Sequence, residues 1–253
     1  MAVLRGAAVL AALLLALPAR AQVSYQTLPG DRYHERMAMP GLVWGSRIVI
    51  EDKPCCETPP GAASPDEQEA KVMAEIPGQA LRQDRVLELR LDGFRMMRIT
   101  DCDDLNTCGN AAYRIHRLVA WWPGTLRTYV IDVRVYEGEM AFLVRAGDGS
   151  VTLVGRPPVL SPNARYAISW DPSLMNGPVM ELLDLRTHPP AIRVITPERI
   201  CGDQQVRPGR NPVWLSDTKV EFDDSTLGVA TSPKFKLTLQ IVADTNLRWE
   251  CHL

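Results

Sequence analysis

The chain has 253 residues, a formal net charge of −2, and acidic and basic side chains that are interspersed along its length. This balance excludes the strongly basic surface that nucleic-acid-binding proteins use. After the first apolar run, no stretch stays apolar over the roughly 20 residues that a membrane-spanning helix needs, so no later membrane span is expected.

The first 21 residues have the pattern of a cleaved secretory signal peptide. Arg5 gives a positive start, residues 7–17 form an unbroken apolar run, and Ala19-Arg20-Ala21 fits the small-x-small cleavage pattern. Cleavage after Ala21 would leave residues 22–253 as a single domain that is periplasmic or secreted. An uncleaved anchor is the alternative.

Six cysteines in an exported chain predict disulfide bonds, because an even number of thiols in an oxidising compartment is usually paired. They are Cys55, Cys56, Cys102, Cys108, Cys201 and Cys251. Cys102 and Cys108 would close a short loop, and the last two would tie together the C-terminal repeat. The adjacent first two would form a strained bridge, so a crossed pattern that uses Cys102 or Cys108 is also open.

Residues 22–40 are polar and irregular, and we expect them to form an extended arm or a poorly ordered lead-in. Residues 42–44 and 47–50 predict two short strands around a turn at Gly45-Ser46. Residues 51–84 are then interpreted as a loop and helix insertion, which begins with a stretch rich in proline, glycine and cysteine.

A helix is predicted near residues 65–75. Ser64 suits the N-cap, Pro65 suits the first helical position, and Glu67 completes a capping box. The helix should end before Pro77-Gly78. Its apolar face is weak, which predicts a surface helix.

From residue 87 onward the apolar side chains recur with a period of two, which indicates half-buried strands. Residues 87–91 and 94–99 flank Asp92-Gly93 and predict a hairpin. The following acidic loop resembles a calcium loop only in part, because Leu105 occupies a position that needs an oxygen ligand.

Three meanders of short strands follow the hairpin. The first has strands at 129–135, 140–145 and 150–154, and the second has strands at 165–170, 179–185 and 191–195. The third begins at 212–222 and continues with strands at 235–241 and 247–251. Strands of this length are typical of all-β domains.

Each meander begins with a similar opening, at Trp122, at Leu160 and at Leu215. The first two openings are roughly 40 residues apart, which is a typical length for a propeller blade of several short strands. The longer second interval includes the 198–211 excursion.

The opening at residues 158–167, Pro-Val-Leu-Ser-Pro-Asn-Ala-Arg-Tyr-Ala, resembles the Ser-Pro-Asp-Gly-Arg-Tyr-type repeat of TolB-like and WD40-like periplasmic β-propellers. Residues 212–220 are a weaker version. Asn163-Ala164 replaces the usual Asp-Gly. The resemblance covers about residues 120–250 and implies an all-β protein of the bacterial envelope, with antiparallel meanders arranged as a small or incomplete β-propeller and one short surface helix.

No assembled catalytic, cofactor or metal motif is visible. There is no Gly-x-Ser-x-Gly, no phosphate loop and no paired Cys/His spacing for zinc, and no cofactor is expected. The four histidines are scattered along the chain at His34, His116, His188 and His252. A non-catalytic role is therefore favoured.

Five residues are candidates for surface binding. Trp121, Trp122 and Trp214 lie at repeat openings, where they would pack between sheets or form a platform for a sugar or peptide. Arg207 and Arg210 flank a Pro-Gly turn and would meet an acidic partner.

The predicted function is an exported binding or scaffold protein with an envelope protein or glycan as partner. The alternative is a periplasmic hydrolase or lyase that acts on cell-wall or polysaccharide material with acids from separate blades. A third alternative is a purely structural envelope protein.

Overall fold

The structure, a computed structural model, describes residues 25–28, 66–106, 113–135, 138–171, 179–195, 206–208, 211–227, 234–243 and 246–252. These residues are mostly strand, with one short helix, α1 (Glu67–Glu75). The strands are β1 (Tyr25–Leu28), β2 (Ala80–Gln83), β3 (Val86–Leu91), β4 (Arg95–Thr100), β5 (Arg114–Trp122), β6 (Thr128–Val135), β7 (Gly138–Arg145), β8 (Val151–Val154), β9 (Val159–Leu160), β10 (Tyr166–Asp171), β11 (Val179–Asp184), β12 (Ala191–Ile195), β13 (Val206–Arg207), β14 (Pro212–Ser216), β15 (Lys219–Leu227), β16 (Lys234–Ala243) and β17 (Asn246–His252).

The strands form four antiparallel sheets, numbered here in chain order. Sheet I has the order β2-β3-β4, and sheet II has the order β5-β6-β7-β8. Sheet III has the order β1-β12-β11-β10-β9, and sheet IV has the order β13-β15-β16-β17, with β14 also paired to β15. The predicted hairpin and all three meanders are confirmed, and the four meander sheets are consistent with propeller-like blades.

The helix is confirmed, but its start and its surroundings differ from the prediction. Asp66 is the N-cap, and its Oδ1 accepts a hydrogen bond from the Glu69 amide at 2.8 Å. The predicted cap, Ser64, lies outside the described residues. Glu69 and Val72 are buried and α1 contacts β5, so the helix is part of the packed structure and not only of the surface.

The N-terminal arm contributes a strand that the polar sequence did not predict. Strand β1 pairs antiparallel with β12, and Tyr25 lies opposite Ile195 in the register. It adds an outer strand to sheet III from the other end of the chain. The strands predicted at 42–44 and 47–50 lie outside the described residues.

Two clusters of buried apolar side chains hold the sheets together. The first lies between α1, sheets I and II and one face of sheet III. The second lies between the other face of sheet III and sheet IV. Strand β10 shows the alternation, because Ala167 belongs to the first cluster while Tyr166 and Ile168 belong to the second. Sheet III is therefore covered on both faces.

Sheets I and II meet through a buried tyrosine. Tyr129 is fully buried, and its hydroxyl donates to the carbonyl oxygen of Arg90 at 2.6 Å. Burial raises the pKa of Tyr129 to about 12. The apolar ring fills the space between the sheets while the hydroxyl satisfies a backbone acceptor.

Four turns lie at one edge of the sheets. They are the β5–β6 and β7–β8 turns of sheet II and the β9–β10 and β11–β12 turns of sheet III. The Asp92 amide donates to the Ala146 carbonyl at 2.8 Å, which joins turns of sheets I and II. Arg127 makes two hydrogen bonds of 2.6 and 2.7 Å with the Asp92 carboxylate. We call this edge the turn rim.

The opening of sheet III shows why its residue types suit the turn. Ser161 Oγ accepts from the Tyr166 amide at 3.0 Å and donates to Asn163 Oδ1 at 2.9 Å. The same Asn163 oxygen accepts from the Arg165 amide at 3.0 Å. Ala164 adopts a φ of 56°, a left-handed conformation that favours glycine.

Ala164→Gly is expected to raise the free energy of unfolding by about 1 kcal/mol, because glycine adopts a positive φ without the steric cost of a Cβ. Ala191→Gly, at the start of strand β12, is the control and should lower stability by a similar amount. Chemical denaturation followed by tryptophan fluorescence measures both. Equal destabilisation by the two variants would contradict the strain argument.

Candidate functional site

A cleft of about 530 Å³ lies between sheets II and III at the turn rim. Sheet II contributes Trp122 from the end of β5 and Arg145 from the end of β7. Sheet III contributes Arg165 from the β9–β10 turn, and Arg186 and His188 from the β11–β12 turn. Because the strands are antiparallel, the alternate turns of each meander meet at this one edge.

Arginines dominate the charge of the cleft, and no aspartate or glutamate of the described chain lines it. Arg186 is held by Asp184, with Nε 2.9 Å from Oδ1. Burial raises the pKa of Asp184, but hydrogen bonds from Arg186 lower it more, so the net pKa lies below its usual value. The Arg165 guanidinium lies 5.0 Å from the centroid of the Tyr166 ring.

Arg145 differs from its two neighbours. Within the described part of the chain, it forms neither an ion pair nor a side-chain hydrogen bond. Its side chain is half-buried and lines the cleft. Its guanidinium donors therefore have no partner among the described residues.

A serine, a histidine and an aspartate meet at the side of the cleft. His188 Nε2 lies 3.0 Å from Ser150 Oγ and 2.9 Å from Asp148 Oδ2, and Ser150 Oγ donates to Asp148 Oδ1 at 2.7 Å. A catalytic triad places the nucleophile and the acid on opposite nitrogens of the imidazole. Here both contact the same nitrogen, so the group fastens sheet II to sheet III and does not form a proton relay.

The three predicted tryptophans lie in different environments. Trp122 is 5% exposed and lines the cleft between sheets II and III. Trp121 points to the other face of sheet II, where its ring contacts that of Tyr129 in a tilted arrangement, with centroids 4.6 Å apart, and lines a smaller cleft of about 300 Å³. Trp214 Nε1 donates to the Val159 carbonyl at 2.9 Å, which joins sheets III and IV. The structure does not bring the three rings together.

The predicted arginine pair is described only in part. Arg207 belongs to β13, and its backbone lies opposite Thr226 of β15. Arg210 lies outside the described residues, as does the side chain of Arg207. Their contact with an acidic partner stays a prediction.

Two of the six cysteines lie within the described residues. Cys102 is buried, and its backbone pairs with that of Arg114 in an isolated antiparallel β-bridge at the junction of sheets I and II. Cys251 lies in β17. Cys55, Cys56, Cys108 and Cys201 lie outside the described residues, so the pairing stays a prediction.

A second cluster of charged groups lies buried between α1 and sheets I and II. Arg82 binds the Glu69 carboxylate through two hydrogen bonds of 2.8 and 3.1 Å, and its Nη1 lies 2.9 Å from Asp101 Oδ2. The Leu118 amide donates to Glu69 at 3.0 Å. The side chains of Arg82, Glu69 and Asp101 are at most 4% exposed. Arg117 supplies a second cation, with its Nη1 3.1 Å from Asp101 Oδ2, so two arginines face two carboxylates, which marks the cluster as structural.

His116 completes this cluster. Its amide and its Nδ1 both lie within hydrogen-bond distance of Asp101 Oδ1, at 2.7 and 2.8 Å. Burial lowers the pKa of His116 below its usual value, although the Asp101 carboxylate opposes this effect. Burial raises the pKa of Asp101, but the bonds from His116 and the charge of Arg82 lower it more.

Sequence reasoning missed the cleft arginines and the Ser150–His188 contact. Arg145 ends β7, the second strand of the first meander, and Arg186 follows β11, the second strand of the second meander. Equivalent positions in neighbouring repeats share one edge of a sheet stack. Alignment of the repeats was therefore the signal that would have placed these two arginines side by side.

Among the described residues, no group of three or more His, Cys, Asp or Glu side chains is placed to hold a metal ion. None of the described helices has the length and hydropathy to cross a membrane. No protein-family model, curated protein or solved structure matches the chain.

Proposed function

We propose that this protein is an exported, non-catalytic binding protein and that its site is the cleft between sheets II and III. The observation that carries the proposal is an open cleft of about 530 Å³, which is lined by arginine, threonine, serine and asparagine side chains and lies on a frame of antiparallel strands. This volume is within the usual range of ligand sites, about 300–1,000 Å³. Loops on a rigid scaffold are the usual place for binding residues.

The partner in this proposal is an envelope protein or glycan. The signal-peptide pattern of residues 1–21 supports export to the periplasm or beyond the cell. The Ser-Pro-Asn-Ala-Arg-Tyr opening and the four meander sheets support a small propeller of the TolB-like or WD40-like kind. A fold alone does not define a function, so the proposal depends on the cleft.

Site-specific photo-crosslinking in the full chain tests this function. A photoreactive residue at Thr187, beside the cleft, should crosslink to an envelope component, and the same residue at the exposed Arg98 of sheet I should not. Thr125→Trp, which fills the cleft from the β5–β6 turn, should abolish the product. Equal crosslinking at both positions would argue against a site in this cleft.

The hydrolase alternative has one supporting observation, the meeting of Ser150, His188 and Asp148 from two sheets. A hydrolase that used this group would react with a fluorophosphonate at Ser150, and Ser150→Ala would remove the label. We expect no labelling, because the Ser150 hydroxyl donates its proton to Asp148 and not to the imidazole.

We also propose that disulfides join Cys102 to Cys108 and Cys201 to Cys251. The even number of cysteines in a chain with a signal-peptide pattern supports disulfide bonds, and the short spacing of Cys102 and Cys108 favours the first pair. Peptide mapping of the exported protein without reductant should find both linked peptides. Six alkylated thiols in the same protein would rule the proposal out.

A further inference from the structure

We propose that the cleft between sheets II and III binds an acidic peptide segment and that Arg145 binds its carboxylate. This inference rests on the proposed binding function and narrows it to one class of ligand. It follows from the charge of the cleft, the availability of one guanidinium and the chemistry of the remaining walls.

The charge of the cleft favours an anion. Arg145, Arg165 and Arg186 line it together with His188, whereas Asp148 and Asp184 do not line it and bond His188 and Arg186. A group of like charges in a partly enclosed site concentrates a positive potential. A negatively charged ligand would relieve the repulsion among the guanidinium groups.

Arg145 is the guanidinium best placed to take the ligand. It has neither an ion pair nor a side-chain hydrogen bond within the described residues, and it is half-buried at the end of β7. The planar fork of arginine donors matches a carboxylate in a bidentate arrangement. Partial burial strengthens such a bond, because it lowers the local dielectric.

The walls suit a peptide better than a sugar. Sugar rings usually bind across an exposed aromatic face, but Trp122, the aromatic ring of this cleft, is only 5% exposed. The exposed Thr125 lines the cleft and would exchange hydrogen bonds with a peptide backbone, whereas the Thr187 hydroxyl already bonds Pro189 and Ala191. The volume of about 530 Å³ accommodates a short segment and not a folded domain.

Fluorescence anisotropy on the full exported chain tests the inference. The probes are a labelled Gly-Glu-Glu-Glu-Gly peptide, its Gln counterpart and a labelled galacturonic acid oligomer. We expect the Glu peptide to bind at least about tenfold more tightly than the Gln peptide, and to weaken as salt is added. Arg145→Gln should reduce its affinity by about tenfold or more.

Arg134→Gln is the matched control, because Arg134 is exposed on β6 of the same sheet and does not line the cleft. It should change the affinity by less than about twofold. Equal binding of the Glu and Gln peptides, or equal effects of the two variants, would overturn the inference.

Failure of the inference and failure of the proposed function have different signatures. Binding of the galacturonate oligomer without the peptide would overturn the peptide ligand and leave a glycan-binding cleft. Failure of all three probes, together with uniform crosslinking from Thr187 and Arg98, would remove both proposals.

Discussion

Arg82→Met is expected to lower the free energy of unfolding by about 3–5 kcal/mol, which is the usual cost of removing one partner from a buried ionic cluster. The substitution keeps much of the volume of the side chain but leaves the Glu69 carboxylate buried without its cation and removes one of the two arginines that pair with Asp101. Urea denaturation followed by tryptophan fluorescence measures the loss.

Arg98→Met is the matched control. Arg98 lies on β4 of the same sheet and pairs with Glu88 at 2.8 Å, but its side chain is 53% exposed. Exposed pairs contribute less than about 1 kcal/mol, so this variant should stay close to the parent protein. Similar losses in the two variants would show that burial of the cluster does not determine its contribution.

The strands could be predicted from sequence because their signal is local. In β3, Leu87, Leu89 and Leu91 alternate with charged residues, and the structure buries these three leucines. Asp92-Gly93 supplies the turn that a hairpin needs, and Gly93 adopts a φ of 71°. The two-residue alternation of apolar side chains and the turn residues lie within a few positions of each other, so the hairpin can be predicted without knowledge of the tertiary structure.

The burial of Glu69 in the helix could not be predicted from the local sequence. Glu69 is a charged residue on a weakly amphipathic segment, and such a residue is normally exposed. It is fully buried because Arg82 and the Leu118 amide supply its partners. These partners come from two sheets and lie 13 and 49 positions away in the chain, so no local pattern predicts the burial.

The cleft was beyond sequence reasoning for the same reason. Its residues belong to turns of two repeats, and only the stacking of sheet II on sheet III decides which turns become neighbours. Ser150 and His188 are 38 positions apart and contact each other at 3.0 Å. Repeat alignment finds equivalent positions but does not measure the space between them.

The stability of the protein should fall as the pH drops below about 6.5, and His116 should cause the first part of this loss. Burial lowers the pKa of His116 below its usual 6.5, so the unfolded chain takes up the proton before the folded chain does. One such group changes the free energy of unfolding by at most about 1.4 kcal/mol per pH unit. Asp101, whose pKa lies below its usual 3.8, adds a second loss below that pH.

His116→Asn separates the two contributions. An asparagine amide can replace the Nδ1 donor to Asp101 but does not titrate, so stability between about pH 5 and 6.5 should become nearly independent of pH. Urea denaturation at half-unit pH steps measures the slopes of the parent protein and of the variant. A His116→Asn slope equal to that of the parent would mean that the buried imidazole does not control the acid sensitivity, because its removal would then leave the proton balance between the folded and unfolded states unchanged.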